Sequence, residues 1–155
     1  MVKQFLRILL NIIPQQTAWA HCDVPCGIYD PCPAQIAADT VAKMVEKIEA
    51  LPKDNPTIAD RNSFVRMVKT KEEHAQKCKE ELLILWTDFF KPEHLSMFPG
   101  LHEVFWKAAK LCSKNKQEVN MAAAQELKTA VDEIADMFAK AKAAAGGAEA
   151  AAAKK

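Results

Sequence analysis

The stretch "FVRMVKTKEEHAQKCKEELLILWTDFF", residues 64–90, places Phe64, Val68, Ala75, Cys78, Leu82, Leu85 and Phe89 at steps of three, four and seven residues. Such steps gather apolar side chains on one side of an α-helix, with the lysines and glutamates opposite. The spacing predicts a helix from about Asp60 to Phe90. A helix with one apolar stripe has to bury it against other elements, and the flanking sequence supplies them. Upstream, Ile36, Val41, Met44, Val45, Ile48 and Leu51 predict a helix from about Ala34 that "LPKDNP" ends. Downstream, "KPEHLSMFPG" interrupts the pattern with Pro92, Pro99 and Gly100. Leu101, Val104, Phe105, Ala108 and Leu111 predict a third helix, and "SKNK" reads as a turn. Val119, Ala123, Leu127, Val131, Ile134 and Phe138 predict a fourth. It fades into an alanine-rich tail, residues 143–155, without large apolar side chains and expected to be disordered.

Four amphipathic helices with short connections predict an all-α fold, an up-down four-helix bundle over residues 34–142. The length of 155 residues suits one domain with one core. Lys and Arg number 21 against 20 Asp and Glu, so bulk charge gives no reason to expect a nucleic-acid partner. The helical body shows no glycine-rich phosphate loop, no Glu-x-x-His metal pair and no Ser-His-Asp order. Cys78 and Cys112 read as small buried apolar residues. His74, His94 and His102 read as surface or satisfied core histidines, and Trp86 and Trp106 as core or interface anchors.

The chemistry lies before the bundle, in "WAHCDVPCGIYDPCPAQ", residues 19–35. It follows "MVKQFLRILLNIIPQQTAWA", residues 1–20, which contains Lys3 and Arg7, no acid, and an apolar run too short and interrupted for a stable membrane span. Positive charge, a modest apolar run and Ala18-Trp19-Ala20 match the outline of a cleavable leader. Leu6, Leu9, Leu10 and Ile13 share a helical face, so an amphipathic pro-segment or an ordinary first helix fits the same residues. Cleavage after Ala20 by a processing peptidase would leave 19 basic against 20 acidic residues and make His21 the N-terminus.

A free amine next to an imidazole closes a chelate ring on one metal ion. Cys22 adds a thiolate and, once its peptide nitrogen is deprotonated, an amidate. Cys26 returns a second thiolate around a turn containing Pro25 and Gly27. Two nitrogens and two sulfurs in a plane, with the imidazole left for an axial position, suit nickel(II) or copper(II) rather than tetrahedral zinc. Thiolates also stabilise a higher oxidation state, which implies redox work. The same residues leave open a Cys22–Cys26 disulfide in an exported helical protein, or a metal carrier or sensor that needs no second oxidation state. Cys32, between two prolines, has no assigned role.

The segment "HCDVPCGIYDP", residues 21–31, resembles the metal-binding hook of nickel-dependent superoxide dismutases, and "LWTDFFKPEHL" and "PGLHEVFWKA" resemble that family's second-to-third helix region. The resemblance implies an enzyme that disproportionates superoxide with one nickel ion per subunit, cycling between Ni(III) and Ni(II). It implies nickel on a hook spanning residues 21–33, with His21, Cys22 and Cys26 as the ligands. Asp23 and Tyr29 would border the open side, Val24-Pro25 would be cis, and six copies would form a homohexamer. It also shows departures. Ala37 and His74 stand where the family supports the N-terminal imidazole with a glutamate and an arginine, and Phe89 stands where some members have tyrosine. Thiolate ligands favour loading in a reducing, cytoplasmic compartment, while the leader leaves export or an organelle open.

Overall fold

The computed structural model describes residues 27–152, with side chains to residue 145. The residues His21, Cys22, Asp23, Val24, Pro25 and Cys26 lie outside the described residues, as does the leader. Four α-helices follow in order: α1 (Cys32–Glu49), α2 (Ile58–Ile84), α3 (Leu101–Gln117) and α4 (Met121–Ala152). A π-helical turn, Leu85–Phe89, continues α2, and a 3-10 turn, Pro92–Ser96, precedes α3. Among the described residues every regular element is helical. Helix α1 packs on α2 and α4, and α3 packs on the same two, the closed square of an up-down bundle. Among the described residues no helix is long and apolar enough to cross a membrane.

Helix α1 begins two residues earlier than expected. Pro31 is its N-cap, Pro33 sits in the first turn where no amide hydrogen is needed, and the Cys32 N–H donates to Asp30 Oδ1 at 2.8 Å. Its inward face is Ala34, Ala37, Ala38, Val41, Val45 and Ile48. Ile36, expected on that face, is 59% exposed. It lies two residues past Ala34, about 200° around the helix, which turns it outward.

Helix α2 starts at a capping box. Thr57 Oγ1 accepts the Asp60 N–H at 3.1 Å, and the Thr57 N–H donates to Asp60 Oδ2 at 2.9 Å. Hydrogen bonds from the Thr57 side chain, and then its backbone, pull the Asp60 carboxyl below its ordinary pKa. A carboxyl lowered on folding stabilises above its unfolded pKa and loses that contribution as pH falls through the folded value. Thr57→Ala therefore costs about 1 kcal/mol in urea unfolding at neutral pH, and the difference from the parent shrinks in acid. Phe64, predicted to open the buried stripe, is 45% exposed and lines a shallow groove with Ile48, Leu51 and Pro52. The buried stripe runs instead through Lys71, Ala75, Cys78 and Leu82.

Lys71 explains why "SKNK" is not a turn. It is 1% exposed, and its ammonium donates to the carbonyls of Asn115, Lys116 (3.2 Å) and Glu118 (2.9 Å). These are carbonyls that a helix leaves without partners at its C-terminal end. Asn115 Nδ2 donates to the Leu111 and Ala123 carbonyls at 3.0 and 2.9 Å, tying α3 to α4. With its end satisfied, α3 runs through to Gln117 and the break falls at residues 118–120. Asn120 Oδ1 then accepts the Ala123 N–H at 3.1 Å and opens α4.

The core holds Leu82, Leu101, Phe105, Leu127 and Ile134, each at most 1% exposed. Cys78 and Cys112 are wholly buried free thiols, as their apolar spacing predicts. A hydrogen bond with Cys112, followed by burial, pushes the Cys78 thiol far above its ordinary pKa. It keeps its proton, and a thiol is a poor nucleophile and metal ligand.

Candidate metal centre

The chain enters the described structure at Gly27, whose φ of +68° is the left-handed conformation that L side chains resist. A Cβ there would meet nothing within 4 Å, so the backbone angle, not lack of room, calls for glycine. Tyr29 follows, half-buried, its ring 5.8 Å from Phe89 and inclined at 59°. Asp30 then fixes the first turn of α1, which leaves Cys32 exposed there, its N–H bound to Asp30.

Phe89 is brought to Tyr29 by the π-helical turn. The Phe90 N–H donates to the Leu85 carbonyl at 3.0 Å, five residues back rather than four. Phe89 also packs on Phe138 of α4 at 4.3 Å and lies nearly parallel to the His94 ring at 5.8 Å. His94 Nδ1 accepts the Lys91 N–H at 3.0 Å, which places the proton of the neutral imidazole on Nε2. Gly27, Tyr29, Phe89, His94 and Lys142 help to line a groove of about 500 Å³ at this end of the bundle. Asp88, Lys91 and Glu93 stand on its walls, so charges of both signs face it.

The sequence reading anticipated Tyr29 here but not His94, Lys91 or Asp88. Their signal is the spacing in "KPEH", where a histidine three residues after Lys91 can cap a short turn opened by proline. His74 is half-buried on α2, with its Nδ1–H donating to the Thr70 carbonyl at 2.9 Å. It stands fifteen residues before Phe89, which meets Tyr29, and so about 20 Å along the axis from that contact. Ala37 is 1% exposed, packed in the α1 core face, and offers no polar group. His102 and Trp86 meet each other: the Trp86 indole N–H donates to His102 Nδ1 at 2.9 Å. Trp106 is 60% exposed, with the Lys110 ammonium 6.0 Å from its ring.

Among the described residues no three His, Cys, Asp or Glu side chains converge in a way that could hold a metal ion. The donor-rich segment ends at Cys26, one residue before the groove begins, and its nitrogen and sulfur donors are chemically suited to nickel.

Comparison with known proteins agrees. A family model described as nickel-containing superoxide dismutase matches residues 16–142. The nickel superoxide dismutase of Streptomyces seoulensis is 34% identical over 125 residues, covering 81% of this chain and 90% of that protein. The enzyme of Streptomyces coelicolor gives the same identity and coverage. A crystal structure of nickel-containing superoxide dismutase with the ligation of the oxidized state superposes with a TM-score of 0.70 at 34% identity. It covers 79% of this chain and 98% of that one. A native nickel superoxide dismutase structure at 1.30 Å also gives a TM-score of 0.70, at 32% identity. These likenesses define a metalloenzyme on a four-helix bundle. The chain belongs to the nickel-containing superoxide dismutase family.

Proposed function

We propose that the segment beginning at His21 holds the nickel ion of this enzyme once the chain has been cut after Ala20. The protein is a nickel superoxide dismutase, an oxidoreductase that disproportionates superoxide to dioxygen and hydrogen peroxide with one nickel per subunit. The observation that carries the ligand assignment is the run of donors at His21, Cys22 and Cys26 ending directly at the Tyr29 groove. His21 would supply its amine and its imidazole, Cys22 its amide nitrogen and thiolate, and Cys26 a second thiolate. Nickel bound there supplies a Ni(III)/Ni(II) couple whose potential lies between the oxidation and the reduction of superoxide.

The chain's own residues do the rest. Lys91 and Lys142 offer a small anion two cationic points on a groove whose overall charge Asp88 and Glu93 balance. Asp23 and Tyr29 border the open side, and the Tyr29 hydroxyl orders water through which protons reach the reduced product. Tyr29→Phe keeps its nickel and slows turnover by less than about 100-fold, the low end of what one proton-handling group contributes. Metal analysis alongside stopped-flow superoxide decay separates the two effects.

With Ala37 apolar and His74 about 20 Å along the axis from Phe89 in the groove, hydrogen-bonded support for the His21 imidazole comes from a neighbouring subunit. A homohexamer supplies such neighbours, and exposed Trp106 is a fitting interface anchor. The thiolates favour metal loading in a reducing compartment, the cytoplasm, with export or an organelle as the alternative destination of the leader.

N-terminal sequencing of the purified active protein tests the proposal. His21 is expected as the first residue. Full activity in material that retains Met1 overturns it, because the nitrogen of His21 is then an amide and no amine ligand exists.

A further inference from the structure

A file of aromatic rings leads away from the groove and ends in a hydrogen bond that the dismutation chemistry does not use. Tyr29, the single tyrosine of the chain, lies 5.8 Å from Phe89. Phe89 is 4.9 Å from Phe90, and Phe90 is 5.4 Å from Phe105. Phe105 is 5.7 Å from Trp86, the two rings stacked within 9° of parallel. Every step between ring centres is short enough for direct ring contact. At the far end Trp86 is half-buried and its N–H points at Nδ1 of exposed His102.

Phenol and indole give up one electron readily; benzene rings do not. Tyr29 and Trp86 are therefore the two stations, and the phenylalanines are the medium between them. An indole that loses an electron becomes far more acidic at its N–H. His102 Nδ1, already accepting that N–H, takes the proton and lowers the potential at which Trp86 is oxidised. The π-helical turn makes this possible by carrying Trp86 and Phe89 on one short segment, continued by Phe90.

We infer that Tyr29, Trp86 and His102 form a one-electron relay that carries oxidising equivalents from the groove to the surface. Tyr29 gives an electron and its phenolic proton to a hydroxyl radical, formed in the groove when superoxide reduces the peroxide product by one electron, and the radical leaves as water. The resulting phenoxyl takes an electron from Trp86 and a proton from water, while the indole proton passes to His102. Superoxide meeting Trp86 at the surface then donates one electron and leaves as dioxygen, and His102 returns the proton. The relay's purpose rests on the proposed hook. Thiolates at Cys22 and Cys26 beside a strong oxidant would otherwise advance to sulfenic and sulfonic acids.

The test needs no nickel, so it stands or falls apart from the hook. In the metal-free full chain, Trp19→Phe and Trp106→Phe leave Trp86 as the single indole. Azide radicals from pulse radiolysis oxidise the protein, and the indolyl and phenoxyl absorptions are followed in time. The expected result is exchange between the two radicals at a rate independent of protein concentration, slowed in deuterated water. Tyr29→Phe removes the phenoxyl signal. His102→Leu, a surface change, slows exchange about tenfold, the loss of one hydrogen bond read as rate. Exchange that is second order in protein, or that His102→Leu leaves unchanged, overturns the relay.

Discussion

Cys26→Ser removes nickel and superoxide disproportionation together and leaves the bundle folded. A serine hydroxyl is a hard, weakly acidic donor that does not ionise at neutral pH, so the proposed ligand set would lose a thiolate and the higher oxidation state its stabiliser. Replacing mere hydrogen-bond partners of metal ligands already costs about 10- to 100-fold in affinity or activity, so loss of a ligand exceeds about 100-fold. The fold is indifferent to the change, because Cys26 precedes α1 and the buried core runs from Ala34 to Ala141. Metal content and superoxide decay fall together in this variant, while its far-ultraviolet spectrum and melting temperature match those of the metal-free parent. A variant that keeps stoichiometric nickel and activity removes Cys26 from the site.

The second large effect lies at the opposite end of the bundle. Lys71→Met leaves the hook untouched and destabilises the fold by about 3 kcal/mol. Burial works against the ammonium, pulling its pKa below the ordinary lysine value. Opposing that pull are three carbonyl acceptors at the negative end of the α3 dipole, each bond from a charged donor contributing about 1.5–3 kcal/mol. Methionine fills the volume but leaves those carbonyls buried without a donor, and the acceptors' loss outweighs the relief of desolvation. For a domain of this size the midpoint of thermal unfolding drops by about 10 °C. A Lys71→Met protein that melts at or above the parent temperature shows that desolvation wins and that the cap holds little.

The bundle was legible because spacing alone determines which side of a helix is apolar. The inward faces of α3 and α4 follow directly from Leu101, Phe105, Ala108, Leu127, Val131 and Ile134. The misreadings share one cause: a residue type was taken at face value without its partner. "SKNK" looks polar and solvated, yet Asn115 is buried because Leu111 and Ala123 offer it carbonyls, and it ends no helix. Lys71 lies on the stripe of Ala75, Cys78 and Leu82, and only a distant helix terminus makes a lysine acceptable there. Ile36 and Phe64 are apolar but point outward, since periodicity does not say which strongly apolar residues a neighbouring helix will cover. At the site, the proposed donors stand out in the sequence because nickel ligation requires particular atoms close together, and they lie outside the described residues. The groove residues His94 and Lys91 do not stand out, because they come together through a turn whose hydrogen-bond register spacing does not reveal.

That register has a consequence for how the molecule tolerates change. A five-residue hydrogen bond from Phe90 to Leu85 means that α2 contains, in effect, one residue more than an uninterrupted α-helix would hold. Deleting exposed Thr87 would remove that surplus residue and close the ladder in ordinary α register with the flanking residues near their places, whereas the same deletion in the regular part of α2 would turn everything beyond it by about 100°. The Leu85–Phe89 turn is therefore where α2 tolerates a change in length with least harm to the packing of Phe89 on Tyr29 and Phe138.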